Sequence, residues 1–185
     1  MCATNATRFT INKECRQLRG FTKPVEENEK VIILSNNWST VAENTGNALT
    51  NGCTGILTNV FEQNWYYPSF FEVKNNRLPI LSANFTTFEY DNFGLLDFDK
   101  QLLTTGNKYL TPIQEYKIRK SKKFAGLIPY ELAYGYAITV WKAQGSSWPK
   151  VLAMEENFPK NREEHKKFLY TAITRAEQKI VLVRS

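Results

Sequence analysis

The last third of the chain constrains its fold most tightly. Between Tyr134 and Leu152, the residues Tyr136, Ile138 and Val140 alternate with Ala137 and Thr139, a strand pattern that runs into the polar turn Lys142-Ala143-Gln144-Gly145-Ser146. A second apolar run follows at Val151 to Met154. From Lys166 onward Phe168, Leu169, Ala172, Ile173 and Ala176 recur at helical spacing, and the apolar stretch Ile180 to Val183 closes the pattern. Arg175 and Glu177 stand where that helix ends. Strand, turn, strand, helix, strand predicts an α/β domain with a buried parallel sheet. Its polar turns are expected at the carboxyl ends of the strands, and a ligand with them.

Each of these residues has a plain role when taken singly. Thr139 fits a half-buried strand, Gln144-Gly145 a turn, and Arg175 a surface cation near a helix C-terminus. In combination, the segments Tyr134 to Leu152 and Lys166 to Val183 resemble motifs V and VI of superfamily 1 helicases, specifically the RecD-like and UvrD-like C-terminal helicase domain. The stretch Cys2 to Phe21 resembles the strand-to-helix segment that carries motif IV. Ile11, Cys15 and Leu18 supply its apolar stripe, and Gly20 is placed to stop the helix. Lys30 to Trp38 and Leu49 to Leu57 resemble the opening strands of the small SH3-like barrel inserted in RecD-like proteins, such as exonuclease V alpha subunits.

The resemblance therefore implies a RecA-like parallel-sheet domain of the P-loop NTPase type, lacking the P-loop itself, with an inserted small SH3-like β-barrel. The implied boundaries are 1–28 and 124–185 for the discontinuous helicase domain and 29–123 for the β-rich insertion. The insertion is rich in aromatic and β-branched runs at Trp65 to Val73 and Phe85 to Tyr90, broken by Asn, Gly and Pro. It shows little helical period outside Phe98 to Leu103. Its aromatics, Trp65, Tyr66, Tyr67, Phe70 and Phe71 among them, are suited to stacking bases, but filling a small barrel is the more economical role.

The same resemblance assigns roles at the site. ATP and Mg2+ are held mainly by an N-terminal RecA-like ATPase domain of the same protein, and Arg175 reaches the γ-phosphate as the arginine finger. Gln144 and Gly145 lie near the nucleotide phosphates, with Arg16 as a further nucleotide contact. Thr139 and Lys142 face the phosphates of single-stranded DNA, Trp141 stacks on a base or covers a helix end, and Asn5 contacts DNA or caps its helix. Asn12 comes from the same motif. Arg suits the finger because its forked, permanent charge matches phosphoryl oxygens in a way that Lys does not.

Departures from the family pattern are few. Relatives carry His where this chain has Trp141, and Glu followed by an acidic residue where it has Ser147 and Pro149. The sequence contains no G-x-x-x-x-G-K-[ST] phosphate loop, so this chain alone is expected to hydrolyse no ATP and reads as one domain of a larger enzyme. Glu155-Glu156 imitates a metal-binding acidic strand end, but a structural role suits it better, and no metal ligands are assigned. The alternative is a nucleic-acid-binding or interaction module that keeps the helicase fold without catalysis.

Composition agrees with a folded, polyanion-binding protein. The 185 residues are 42% hydrophobic and 14% aromatic, enough for a real core, and the net charge is +6. Lys117, Arg119, Lys120, Lys122 and Lys123 cluster ahead of the final α/β segment, as a basic patch or a solvated loop. Three cysteines without metal-type spacing, no signal peptide and no membrane-length apolar run predict a reduced, cytoplasmic location with no membrane partner.

Overall fold

The computed structural model describes residues 1–158 and 160–184. The backbone divides into two compact units: Met1–Thr22 with the chain from Tyr134 onward, and Lys23–Ala133 between them.

In the first unit, helix α1 (Asn5–Leu18) is capped by Thr4, whose hydroxyl accepts the Thr7 N–H at 3.2 Å. It stops at Gly20, which adopts φ +79° while the Phe21 N–H donates to the Arg16 carbonyl at 3.0 Å and the Gly20 N–H to that of Gln17 at 2.9 Å. This pair of bonds satisfies two end carbonyls and needs a residue free to enter left-handed space.

The sheet of this unit is built from pieces distant in sequence. Strands β8 (Trp148–Glu155) and β9 (Ala176–Arg184) pair in parallel, with Val151 opposite Ile180 and Met154 opposite Val183. On the far side of β8, the Met154 N–H donates to the Met1 carbonyl at 2.9 Å, and the Met1 amino group donates to the Leu152 carbonyl. Cys2 in turn forms a parallel bridge with Thr139, sealed by Cys2 N–H to Ile138 O at 3.1 Å and Val140 N–H to Cys2 O at 3.0 Å. Four ribbons thus run side by side, all parallel.

Helix α4 (Arg162–Ile173) connects β8 to β9. Asn161 caps it, accepting the Glu163 N–H at 2.9 Å, and Glu163 and Glu164 oppose the positive end of the helix dipole. Its Phe168 and Ala172 pack with Ala3, Val140, Val151 and Ala153 in one buried cluster. The residues that point to the other side of the β8–β9 pair are open to water: Leu152 is 54%, Val181 44% and Val183 41% exposed.

Two expectations need correction here. Tyr136 to Val140 is no alternating strand, because Ala137, Ile138, Thr139 and Val140 are all buried and only Thr139 forms a bridge. A ribbon covered on both faces has no polar side to show. Ala176, which fits the helical period, opens β9, and α4 has already ended at Ile173.

In the second unit the strands are β1 (Lys30–Ile33), β2 (Asn37–Val41), β3 (Ala48–Leu49), β4 (Thr54–Tyr66), β5 (Arg77–Thr87), β6 (Asn92–Asp99) and β7 (Leu132–Tyr134). Five of them form a sheet in the order β6-β5-β4-β1-β7, while β2 and β3 pair separately. Gly55 sits where β1, β4 and β5 meet, opposite both Val31 and Thr87. Tyr67, Phe71, Val73, Leu78, Ile80, Leu110 and Ile118 make the core beneath this sheet, so several of the insertion's aromatics fill space. Phe70 and Tyr66 remain 63% and 68% exposed.

The expected closed barrel is not found among the described residues. The edge strand β6 meets the chain ahead of β7 at one bridge, Phe98 to Tyr130, with no continuous ladder between them. Two helices also interrupt this β-rich unit. They are α2 (Lys100–Thr105), which overlaps the Phe98 to Leu103 period, and α3 (Pro112–Lys120), which was not anticipated. Lys117, Arg119 and Lys120 belong to the last turn of α3, where cations complement the dipole, and not to a loop.

Candidate functional site

The residues after Thr139 coil into one helical turn. The Lys142 and Ala143 N–H groups donate to the Thr139 carbonyl at 3.0 and 3.1 Å, and the Ser146 N–H donates to Ala143 O at 3.1 Å. Ala143 is wholly buried and anchors the turn, which leaves Trp141, Lys142, Gln144 and Gly145 exposed. Gly145 has φ +88°, and a methyl built on it would meet nothing within 4 Å. The backbone is therefore open to close approach at this point, and the left-handed conformation favours glycine.

Arg175 reaches this turn from the end of α4. Its Nη1 donates to the Ser146 carbonyl at 3.0 Å and its Nη2 to the Thr174 hydroxyl at 3.2 Å. Its Nε is buried with no hydrogen-bond partner among the described residues. The Arg175 carbonyl accepts the Trp148 N–H at 2.9 Å, and the Ser147 hydroxyl donates to the Glu177 carboxylate. Two sequence-distant pieces are thus stitched together side chain to backbone and backbone to backbone. The guanidinium is bonded only to neutral oxygens, and no carboxylate pairs with it among the described residues. An unsatisfied buried N–H costs on the order of 1–3 kcal/mol, a cost that an incoming anion would relieve.

The location differs from expectation in one respect. Trp141 and Lys142 do follow the carboxyl end of the Ile138–Val140 ribbon, but Arg175, Ser146 and Ser147 lie at the amino ends of β8 and β9, where Trp148 faces Ala176. The turn carries the chain from one end of the sheet to the other, and α4 brings it back to the start of β9.

The remaining sequence-derived candidates are dispersed. Thr139 is only 5% exposed. Asn5 is the exposed first residue of α1, and the cap is Thr4. Arg16 is half-buried, with its guanidinium carbon 4.5 Å from the centre of the Tyr134 ring and 5.9 Å from that of Phe21. Asn12 is buried at 3% and bonds to the backbone of Tyr136 and Ala137. Trp141 lies against buried Phe168, ring centres 6.5 Å apart.

The two glutamates after β8 hold structure together. Glu156 accepts the Ala3 N–H at 2.5 Å, the Thr7 hydroxyl at 2.6 Å and the Thr4 hydroxyl at 3.2 Å, tying the end of β8 to the start of α1. Burial works against its ionisation, yet the hydrogen bonds from Thr7, Ala3 and Thr4 together keep its carboxyl below the ordinary range. Glu155 accepts from His165 Nε2 at 3.1 Å and Arg184 Nε at 2.7 Å, contacts that lower its pKa as well. No group of three His, Cys, Asp or Glu side chains that could hold a metal occurs among the described residues. The Arg175–Ser146 and Ser147–Glu177 contacts carry no sequence signal, because each joins residues about thirty apart that meet only when α4 brings the start of β9 beside the turn.

Comparison with known proteins agrees with the motifs. Residues 134–183 match the family described as the UvrD-like helicase C-terminal domain. No curated protein matches the chain. Among solved structures, the Pif1 helicase from Candida albicans aligns at 10% identity and TM-score 0.42, over 98% of this chain and 44% of that one. The Bacteroides Pif1 helicase in complex with ADP-AlF3 and single-stranded DNA aligns at 12% identity and TM-score 0.44, over 100% of this chain and 39% of that one. The chain therefore spans less than half the length of these helicases. By the family match, residues 134–183 are similar to the UvrD-like helicase C-terminal domain, the same part of the chain in which the two motifs lie.

Proposed function

We propose that this chain is the second motor domain of an ATP-dependent DNA helicase of RecD-like type, discontinuous over 1–28 and 124–185, with residues 29–123 as a β-rich insertion. The observation that carries the proposal is Arg175. It is a half-buried guanidinium with no carboxylate partner among the described residues, held by Ser146 beside the open backbone of Gly145.

In this reading Arg175, Gln144 and Gly145 meet the phosphates of ATP, whose Mg2+ and phosphate loop belong to an N-terminal RecA-like ATPase domain. ATP supplies the phosphoryl group whose transfer to water powers movement. Arg175 neutralises charge that builds on the phosphoryl oxygens, and its bond to Ser146 O pre-sets the side chain so that little ordering remains to be done. Lys142 and Trp141, on the same turn, face single-stranded DNA, with Thr139, Asn5 and Arg16 supporting strand and nucleotide contacts. One turn thereby senses both fuel and track. A contact made only while the γ-phosphate is present biases the domain pair toward closure, and its loss reverses that bias. Ser147 replaces a carboxylate of the family pattern, and Glu177 restores one a single hydrogen bond away.

The test is DNA-stimulated ATP hydrolysis by the chain joined to its phosphate-loop domain. Arg175→Ala should cut the rate by about a thousandfold or more. Hydrolysis unchanged in that variant would favour a non-catalytic nucleic-acid-binding module instead. The chain by itself should show no turnover.

A further inference from the structure

Trp141 and Gln144 are three residues apart on the helical turn and so share one face. That face forms one wall of a cleft of about 400 Å3 whose other wall is Lys166, Lys167, Tyr170 and Thr171 of α4. The α4 residues are again at helical spacings of three and four, flanking the buried Phe168–Ala172 face that fixes the helix on the sheet. Both walls therefore rest on the same core cluster, and the cleft is preformed.

Its chemistry is specific. Trp141 is 41% exposed although its ring is braced by fully buried Phe168, and Tyr170 is 71% exposed. Lys166 and Lys167 are exposed, as is Lys142 next to Trp141. None of the three forms an ion pair among the described residues, and no acidic side chain lines the cleft. Large aromatics left in water and ringed by free ammonium groups suit a ligand with flat rings and regularly spaced negative charge. Single-stranded nucleic acid has both, and aromatic stacking is tolerant of sequence.

We propose that this cleft binds one unpaired nucleotide of single-stranded nucleic acid, its base stacking on Trp141 and Tyr170 and its phosphates neutralised by Lys142, Lys166 and Lys167. The proposal rests on the motor-domain reading and adds helix α4 to the track. It couples the strand to the phosphate site mechanically, because α4 ends two residues before Arg175, and a pull on Tyr170 acts on the helix that positions the finger.

Binding of a fluorescent oligothymidylate to the intact chain, followed by anisotropy across a salt series, tests the proposal. Tyr170→Ala should weaken binding by about tenfold. The paired change Lys166→Ala and Lys167→Ala should lower the salt-dependence slope by about 2. An iodouracil-containing oligonucleotide should photocrosslink to Trp141 or Tyr170. Circular dichroism matching the parent keeps a folding defect from imitating these losses. Parent-like affinity and slope in both variants, with crosslinks elsewhere, would overturn the α4 cleft while leaving the motor reading in place. No oligonucleotide binding by the parent chain would overturn both. Polyglutamate competing as well as the oligonucleotide would assign the cleft to an acidic protein partner and end the proposal.

Discussion

Asn12 grips both polar groups of Ala137. Its carboxamide oxygen accepts the Ala137 N–H at 2.9 Å and its Nδ2 donates to the Ala137 carbonyl at 3.0 Å, while the Tyr136 N–H adds a third bond at 3.1 Å. The side chain behaves as a short piece of neighbouring strand at the entrance to the Lys142–Ser146 turn. Asn12→Ala strands three backbone groups in a buried place and should cost about 3 kcal/mol, read as a lower urea midpoint at unchanged slope. A midpoint equal to the parent's would show that water takes over the bonds.

Gly55 should resist any side chain. A methyl there would lie 2.1 Å from the Thr86 carbonyl oxygen and 2.8 Å from the Phe85 ring, both fixed by the β4–β5 ladder. Gly55→Ala is expected to destabilise by about 3 kcal/mol through overpacking, measured by thermal or denaturant unfolding. A loss within error of zero would mean that the two strands can part freely.

Glu156 gives stability a pH dependence. Its folded carboxyl titrates below the ordinary glutamate value of 4.5, so its contribution is complete above that pH and is lost as pH falls through the folded value. Unfolding midpoints should hold steady from neutrality down to about 4.5 and then decline. In Glu156→Gln the part of that decline due to this residue should vanish. Parallel pH curves for parent and variant would argue against the clamp on Ala3, Thr4 and Thr7.

Arg175 should separate function from stability. Arg175→Ala gives up the bonds to Ser146 and Thr174 but also removes a buried Nε that has no partner among the described residues, so the effects oppose each other. The folding free energy should change by less than about 1 kcal/mol. Under the proposed function, Arg175→Lys should keep stability equally well yet fail to restore hydrolysis in the chain joined to a phosphate-loop domain, since a point charge does not reproduce the fork. Collapse of the fold in either variant would make Arg175 a structural residue.

The parallel sheet was legible at Val151 to Met154 and Ile180 to Val183 because apolar runs with an intervening helical period allow few other arrangements. Phe168 and Ala172 likewise declared the buried side of α4. Other features depend on contacts that no window of sequence contains. Alternation misled at Ala137 and Thr139, where burial on both faces erases the polar side. Helix α3 was overlooked although Thr111, Pro112 and Gln114 spell its start: the Thr111 hydroxyl accepts the Gln114 N–H at 3.3 Å and the Gln114 carboxamide oxygen accepts the Thr111 N–H at 2.9 Å. In the sequence these cap residues are followed by a run of cations, which reads as charge before it reads as the end of a helix. Arg175 stood out by type, but its bond to Ser146 and the Ser147–Glu177 link appear only after folding.

The water-facing row Leu152, Val181 and Val183 has a practical consequence. A strip of aliphatic side chains along a two-stranded ladder, with β9 at the rim, favours sticking of one copy to another. Sedimentation should therefore report heavier species as the sample is concentrated, and a Val181→Lys change should keep it monodisperse without disturbing Arg175 or the turn it grips.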